Sequence, residues 1–263
     1  MKKTGILLLL AATIFASCEK ENHDKSGILK GSVAQVHLGK AWTWVEVDQN
    51  GNPRKMAVSI DDAALNSLPT SVKGEGGGHN HGHDGINNWA LKFHPKANVN
   101  PFQYVGLDWN PIGHEPEPIY GKSHFDFHFY AMSPAEVDAI PPYEVDSAKF
   151  KNSPAPAYFP LNYINPGGGV PKMGAHWIDV TSPELSGKPF TETFIYGSYN
   201  GKVTFYEPMI TLDFIKKSSN FERNIPQPAK VQKTGYYPTK LRIVKQNGVT
   251  DIILDAMVFR TQS

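Results

Sequence analysis

Polar and apolar residues alternate with a period of two along much of this chain, the pattern of strands with one face in a core. Gly31–Leu38, Ala41–Val47 and Arg54–Ile60 follow it, and Gln49-Asn50-Gly51-Asn52-Pro53 supplies a turn before the third. Similar runs predict strands at Asn88–His94, Phe102–Trp109, Gly174–Val180, Phe190–Tyr199, Lys202–Glu207, Met209–Phe214, Thr239–Val244 and Asp251–Phe259. Asn200-Gly201 and Asn247-Gly248 read as hairpin turns, because Asn and Gly tolerate the positive φ of a tight two-residue loop. Helical signals are few. Asp61 is placed to cap a short helix over Asp62–Leu68, and Ser133-Pro134 to begin another. Residues 70–88 and 141–172 are rich in Gly or Pro and read as loops. The fold class is therefore mainly β, an antiparallel sandwich or barrel-like sheet with one or two short helices and long Pro/Gly-rich loops.

One alternating run carries chemistry. In His124-Phe125-Asp126-Phe127-His128-Phe129-Tyr130 one strand face holds three Phe and the other His124, Asp126 and His128. Alternate residues of a strand are about 6.6–6.8 Å apart and i, i+4 residues about 13 Å. Two ligand bonds of about 2.1 Å cannot span the longer distance, so His124 and His128 do not share an ion on a regular strand. Asp126 pairs feasibly with either. A complete metal site then needs donors from neighbouring strands. His176, in Met173-Gly174-Ala175-His176-Trp177, and Glu207, in Phe205-Tyr206-Glu207-Pro208-Met209, are the candidates, with His114 in the tight loop Gly113-His114-Glu115 at the mouth. Asp126 is either a ligand or the acceptor that orients an imidazole. A mixed His/carboxylate site with an open position suits Zn, Fe(II) or Mn and activates water or oxygen. The competing reading makes the same residues a buried hydrogen-bonded network that holds the long loops. Function would then lie in ligand or partner binding by an aromatic surface around Trp42, Trp44, Trp109 and the 141–172 loop.

A second cluster, His79, His81 and His83 in a run beginning Gly76-Gly77-Gly78, has the composition of a loop that takes up Zn, Ni or Cu. Its glycines lose much freedom on ordering, which limits affinity, and a solvated surface loop is the simpler reading.

The N-terminus stands apart. Lys2 and Lys3 precede an apolar run from Ile6 to Phe15, too short to span a bilayer, and Ala16-Ser17 lead to Cys18. Residues 1–17 read as a lipoprotein signal peptide, with Phe15 in place of the usual Leu, and Cys18 as the lipidated residue. Its acyl chains, palmitate among them, anchor the chain in a membrane. Residues 18–27 are polar and read as a tether, leaving 28–263 as a single domain. Acidic residues after Cys18 resemble the signal that directs lipoproteins to the outer membrane, on its periplasmic or cell-surface face.

Cys18 is the only cysteine, so no internal disulfide and no Cys nucleophile is available. Without Lys2 and Lys3 the 26 basic residues become 24 against 25 acidic, a net charge near −1, and no basic stripe for nucleic acid exists. Neither a Gly-rich phosphate loop nor a Gly-x-Ser-x-Gly elbow is present.

Four motifs together resemble one uncharacterised bacterial family of secreted proteins and lipoproteins: Gly106-Leu107-Asp108-Trp109-Asn110-Pro111-Ile112-Gly113-His114-Glu115-Pro116, the 124–130 strand, Met173–Trp177, and Gly201-Lys202-Val203-Thr204-Phe205-Tyr206-Glu207-Pro208-Met209. The likeness spans roughly residues 30–215. It implies a mainly β domain that forms homo-oligomers, and it carries no assigned reaction or small-molecule ligand.

Overall fold

A computed structural model describes residues 26–71 and 87–263. Most of its strands lie in the two sheets of a sandwich. The smaller sheet contains β1 (Gly27–Val36), β2 (Gly39–Val47), β3 (Pro53–Asp61), β11 (Asn220–Asn224), β13 (Lys240–Gln246) and β14 (Val249–Asp255), in the order β1-β2-β3-β14-β13-β11. The larger contains β4 (Asn88–Lys92), β5 (Tyr104–Asn110), β6 (His124–Tyr130), β7 (Tyr163–Ile164), β8 (Ala175–Asp179), β9 (Glu192–Tyr199) and β10 (Lys202–Thr211), in the order β4-β5-β6-β10-β9-β8-β7. All pairings are antiparallel, and neither sheet closes into a barrel. A separate ribbon joins β12 (Gly235–Tyr237) to β15 (Val258–Arg260).

The turns form as their residues dictate. Asn200 and Gly201 have φ of 48° and 75°, Asn247 and Gly248 52° and 76°, matching a hairpin turn with two left-handed positions. Asp61 caps α1 (Asp62–Asn66) by accepting from the Ala64 N–H. Ser133 caps α3 (Pro134–Asp138) in a reciprocal box with Glu136.

Several expectations are corrected. Strand β1 begins at Gly27, one residue inside the stretch read as tether. The runs 202–207 and 209–214 are not two strands: β10 continues through Pro208, and Thr211 then caps the helix α5 (Leu212–Lys217). Pro208 is tolerated because pairing with β6 lapses between Tyr206↔Phe129 and Met209↔Asp126, so no N–H is missed there. The run 251–259 breaks at Ala256, whose φ of 52° ends β14 and sends β15 to a different partner. The stretch 141–172 contains a helix, α4 (Ser147–Lys151), a 3-10 turn and β7. The helix α2 (Glu117–Tyr120) and strands β11 and β12 had no sequence signal strong enough to be anticipated. The His79–His83 cluster and the signal segment lie outside the described residues. Among those described, no helix is long and apolar enough to cross a membrane.

The main core lies between the sheets. Phe125, Phe127 and Phe129 of β6 meet Val58, Ile243, Ile252 and Leu254 of the smaller sheet in one buried cluster. Trp109 is part of that core, with its indole N–H donating to the Pro69 carbonyl, so it belongs to no exposed aromatic surface. A second apolar cluster lies on the opposite face of the larger sheet, where Val137, Ile140, Phe150, Val170 and Met173 cover Tyr104, Tyr130, Phe205 and Met209. Period two thus buries both faces of β6, one against a sheet and the other under loops.

Candidate metal centre

The loop-covered face of the larger sheet is a row of polar groups. Register places Asp108 opposite Asp126, Asn110 opposite His124 and Gly106 opposite His128 across β5 and β6. On the other side of β6, Glu207 falls between the pairs Tyr206↔Phe129 and Met209↔Asp126, which sets it beside His128. His176 arrives two strands further on, paired with Gly197 of β9. His124, Asp126, His128 and Glu207 are all buried.

The sequence grouped six residues around one site, and the structure divides them into two groups of three. His114, His124 and Asp126 form one; His128, His176 and Glu207 form the other; within each group one donor atom per residue lies within 4.8 Å of the others. The division follows the strand. Asp126 and His128 are alternate residues of β6, about 7 Å apart, and each recruits different neighbours. His124 and His128 are in separate groups, as strand geometry demands.

In the first group hydrogen bonds fix the imidazole tautomers. Nδ1 of His124 is 2.6 Å from the Lys122 carbonyl, and Nδ1 of His114 is 2.8 Å from the Glu115 carbonyl. A carbonyl only accepts, so both Nδ1 atoms carry hydrogen and both rings turn Nε2 toward Asp126. His124 Nε2 is 3.1 Å from one Asp126 oxygen and His114 Nε2 is 3.5 Å from the other. Asn110 donates to Asp126 at 2.8 Å. An imidazole lone pair facing a carboxylate is repulsive unless positive charge lies between them, either a proton or a metal ion.

The second group poses the same problem. His128 Nδ1 is 2.9 Å from Asp108, and its Nε2 is 3.4 Å from Glu207 Oε1; His176 Nε2 is 3.9 Å from Glu207 Oε2. A carboxylate on one ring nitrogen, with the other nitrogen turned toward further donors, is the arrangement that orients metal-binding histidines. Asp108 thus stands where it can orient an imidazole, one of the two parts the sequence left open for Asp126. Sequence reasoning missed Asp108 and Asn110 as site residues, although alternation with Val105, Leu107 and Trp109 puts them on the polar face.

The contacts are close yet poorly aligned. His124 Nε2, both His128 nitrogens, Asp126 Oδ1 and Glu207 Oε2 are buried without a directed hydrogen bond. Buried polar atoms are nearly always satisfied, so several such atoms in these two groups call for an explanation.

Charge equilibria reflect this crowding. Burial would raise the Asp126 carboxyl, but the imidazole of His124, and His114 facing its other oxygen, hold it well below the usual range. Burial opposes charge on His114, and its bond and attraction to Asp126 prevail, raising it to about 9. For His128, burial is likewise outweighed by Glu207 and Asp108, again giving about 9. Glu207 is pushed up to about 8, chiefly by burial, against the pull of His128. The His128–Glu207 pair holds its protons as a unit to higher pH than either free side chain would average.

Both groups border one cavity of about 460 Å³. Asp108, Asp126, Glu207, His114 and His176 line its polar side, while Ile119, Val170, Met173, Ile178, Ile195 and Met209 contribute apolar walls. The volume is within the usual range for small-molecule sites.

No family model matches the chain, and no curated protein or solved structure matches it either.

Proposed function

We propose that this protein binds divalent transition metal ions on the loop-covered face of its larger sheet and uses them on a small molecule. The carrying observation is the pair of histidines whose carbonyl-bound Nδ1 atoms oblige Nε2 to face the Asp126 carboxylate. Two His and one carboxylate in each group suit Zn, Fe(II) or Mn and leave coordination positions open. An ion bound there supplies Lewis acidity and lowers the pKa of a bound water. Metal analysis of the purified protein tests this reading, with His124→Ala and His176→Ala as site-specific controls. Wild type retaining no transition metal after metal supplementation and desalting would end it.

A non-catalytic alternative keeps the same residues as a structural network. It draws support from the Asn110–Asp126 hydrogen bond and the close Asp108–His128 contact. In that case His→Gln substitutions lower thermal stability and leave metal content unchanged.

Export as a lipoprotein is part of the proposal and rests on the signal pattern ending at Cys18. Labelling with a palmitate analogue should mark wild type and spare Cys18→Ser. The acidic residues after Cys18 support outer-membrane anchoring and the resemblance to secreted proteins and lipoproteins supports homo-oligomers, which fractionation and sedimentation test. Uptake by His79, His81 and His83 is a separate proposal, tested by deleting residues 76–84.

A further inference from the structure

We infer that the cavity above the two His/carboxylate groups takes a small carboxylate with an apolar body, its head toward the metal and its body along the loop-side wall. This rests on the metal reading and deepens it. Three observations lead to it.

The first is charge. Asp108, Asp126 and Glu207 are the buried carboxylates of the cavity. Ionised, they carry three negative charges, and one divalent ion in each group brings four positive. The remaining positive charge, in a site shielded from water, calls for one anion. Glu115 also lines the cavity, but at its exposed rim, where its carboxylate accepts from the Glu117 N–H and solvent screens it.

The second is the division of the lining. Titratable groups occupy the sheet side and the rim, while Ile119, Val170, Met173 and Ile178 come from the surrounding segments and strand β8. A fully polar ligand such as a sugar or phosphate would leave its hydroxyls or oxygens unpaired along that wall. A plain hydrocarbon would leave the metal positions unused.

The third is ligand number. Each group offers three protein donors, one short of a four-coordinate ion, so a carboxylate oxygen can complete either set. With centres about one alternate-residue spacing apart, near 7 Å, the ions are too distant for the 3.5–4 Å bridged pair of two-metal hydrolases. A single monodentate or chelating head on one ion is the arrangement this spacing permits.

The test uses the full chain loaded with Zn²⁺, with metal stoichiometry measured first. Acetate, butanoate, hexanoate and octanoate are then titrated calorimetrically beside the alcohols of equal chain length. Affinity is expected to rise about fourfold per methylene until the apolar wall is covered, with the alcohols at least tenfold weaker. Ile178→Ala, which trims the apolar wall at a partly buried strand position and adds no donor, should leave zinc stoichiometry unchanged and weaken octanoate at least threefold. Retained zinc with affinities that do not depend on chain length, or alcohols binding as well as carboxylates, overturns this inference and leaves the metal reading standing. Failure to retain zinc overturns both.

Discussion

His128 of β6 and Glu207 of β10 meet across the middle of the larger sheet, with Nε2 3.4 Å from Oε1, both side chains buried and Asp108 on the far side of the imidazole. The imidazole thus lies between two buried carboxyl groups, in the middle of the sheet. Replacing a buried ion pair by well-packed apolar residues is often neutral or stabilising. Burial of these three groups together is therefore weak evidence for a stabilising role.

The first expectation concerns His176. Its side chain is about a quarter exposed and stands over the ring of Phe205, so its loss disturbs packing little. His176→Ala should reduce zinc affinity at the second group more than tenfold while shifting the metal-free melting temperature by only a few degrees. Atomic absorption on desalted protein and a thermal scan with chelator present are the paired measurements. An equal fall in metal-free stability, with zinc content intact, would assign His176 to the scaffold.

A second expectation is pH dependence of the metal-free protein. His128 is raised from 6.5 to about 9, so its contribution is complete below pH 6.5 and is lost as pH rises through 9. Glu207 is raised from 4.5 to about 8, so the folded chain also keeps this proton after the unfolded chain has released it. His114, raised to about 9, acts in the same sense. The folded state binds more protons than the unfolded one across this window, and stability falls as pH increases. Asp126, held well below its ordinary 3.8, has the opposite sign, and its contribution disappears as pH falls through that lowered value. Urea midpoints in chelator should therefore decline from pH 6 to pH 9. Zinc, which takes the place of the protons, should flatten the decline, and zinc binding should release protons into the buffer.

A third concerns Gly197. A Cβ at this position would stand 2.2 Å from a ring carbon of Phe205, whose ring packs edge-on to His128. Gly197→Ala is expected to displace that ring, to cost about 1–3 kcal/mol, and to weaken metal binding through the histidines it supports. The double substitution Gly197→Ala with Phe205→Leu should recover part of the loss. If the single variant binds zinc as wild type does, Phe205 has no part in positioning.

Ile243 provides the control. It is fully buried in the smaller sheet, on the side of the sandwich away from the cavity. Ile243→Ala should cost about 2–5 kcal/mol by chemical denaturation and leave zinc stoichiometry unchanged at temperatures where the protein remains folded. A change in stoichiometry would mean that site and core are coupled through the sheet.

What was legible in the sequence was local. Successive side chains of a strand point to opposite faces, so His124, Asp126 and His128 were separable from Phe125, Phe127 and Phe129 by position alone. The same rule barred His124 and His128 from sharing an ion. The turns at Asn200-Gly201 and Asn247-Gly248 and the caps Asp61 and Ser133 needed only neighbouring backbone. Less was legible where the local signal was misleading. Pro208 looked like a strand end, yet β10 runs through it because its neighbour's pairing lapses there.

Which donors would meet was a tertiary matter. Glu207 reaches His128 because β10 pairs with β6, a partner more than seventy positions earlier, and His176 reaches Glu207 only by way of β9. Asp108 entered the site through its register with Asp126. The sequence by itself determined the face on which each donor stands, since that depends on a backbone period of two. The structure alone decided that six candidate ligands make two sets under one cavity, because strand order, register and the covering loops are set by the packing of the whole chain.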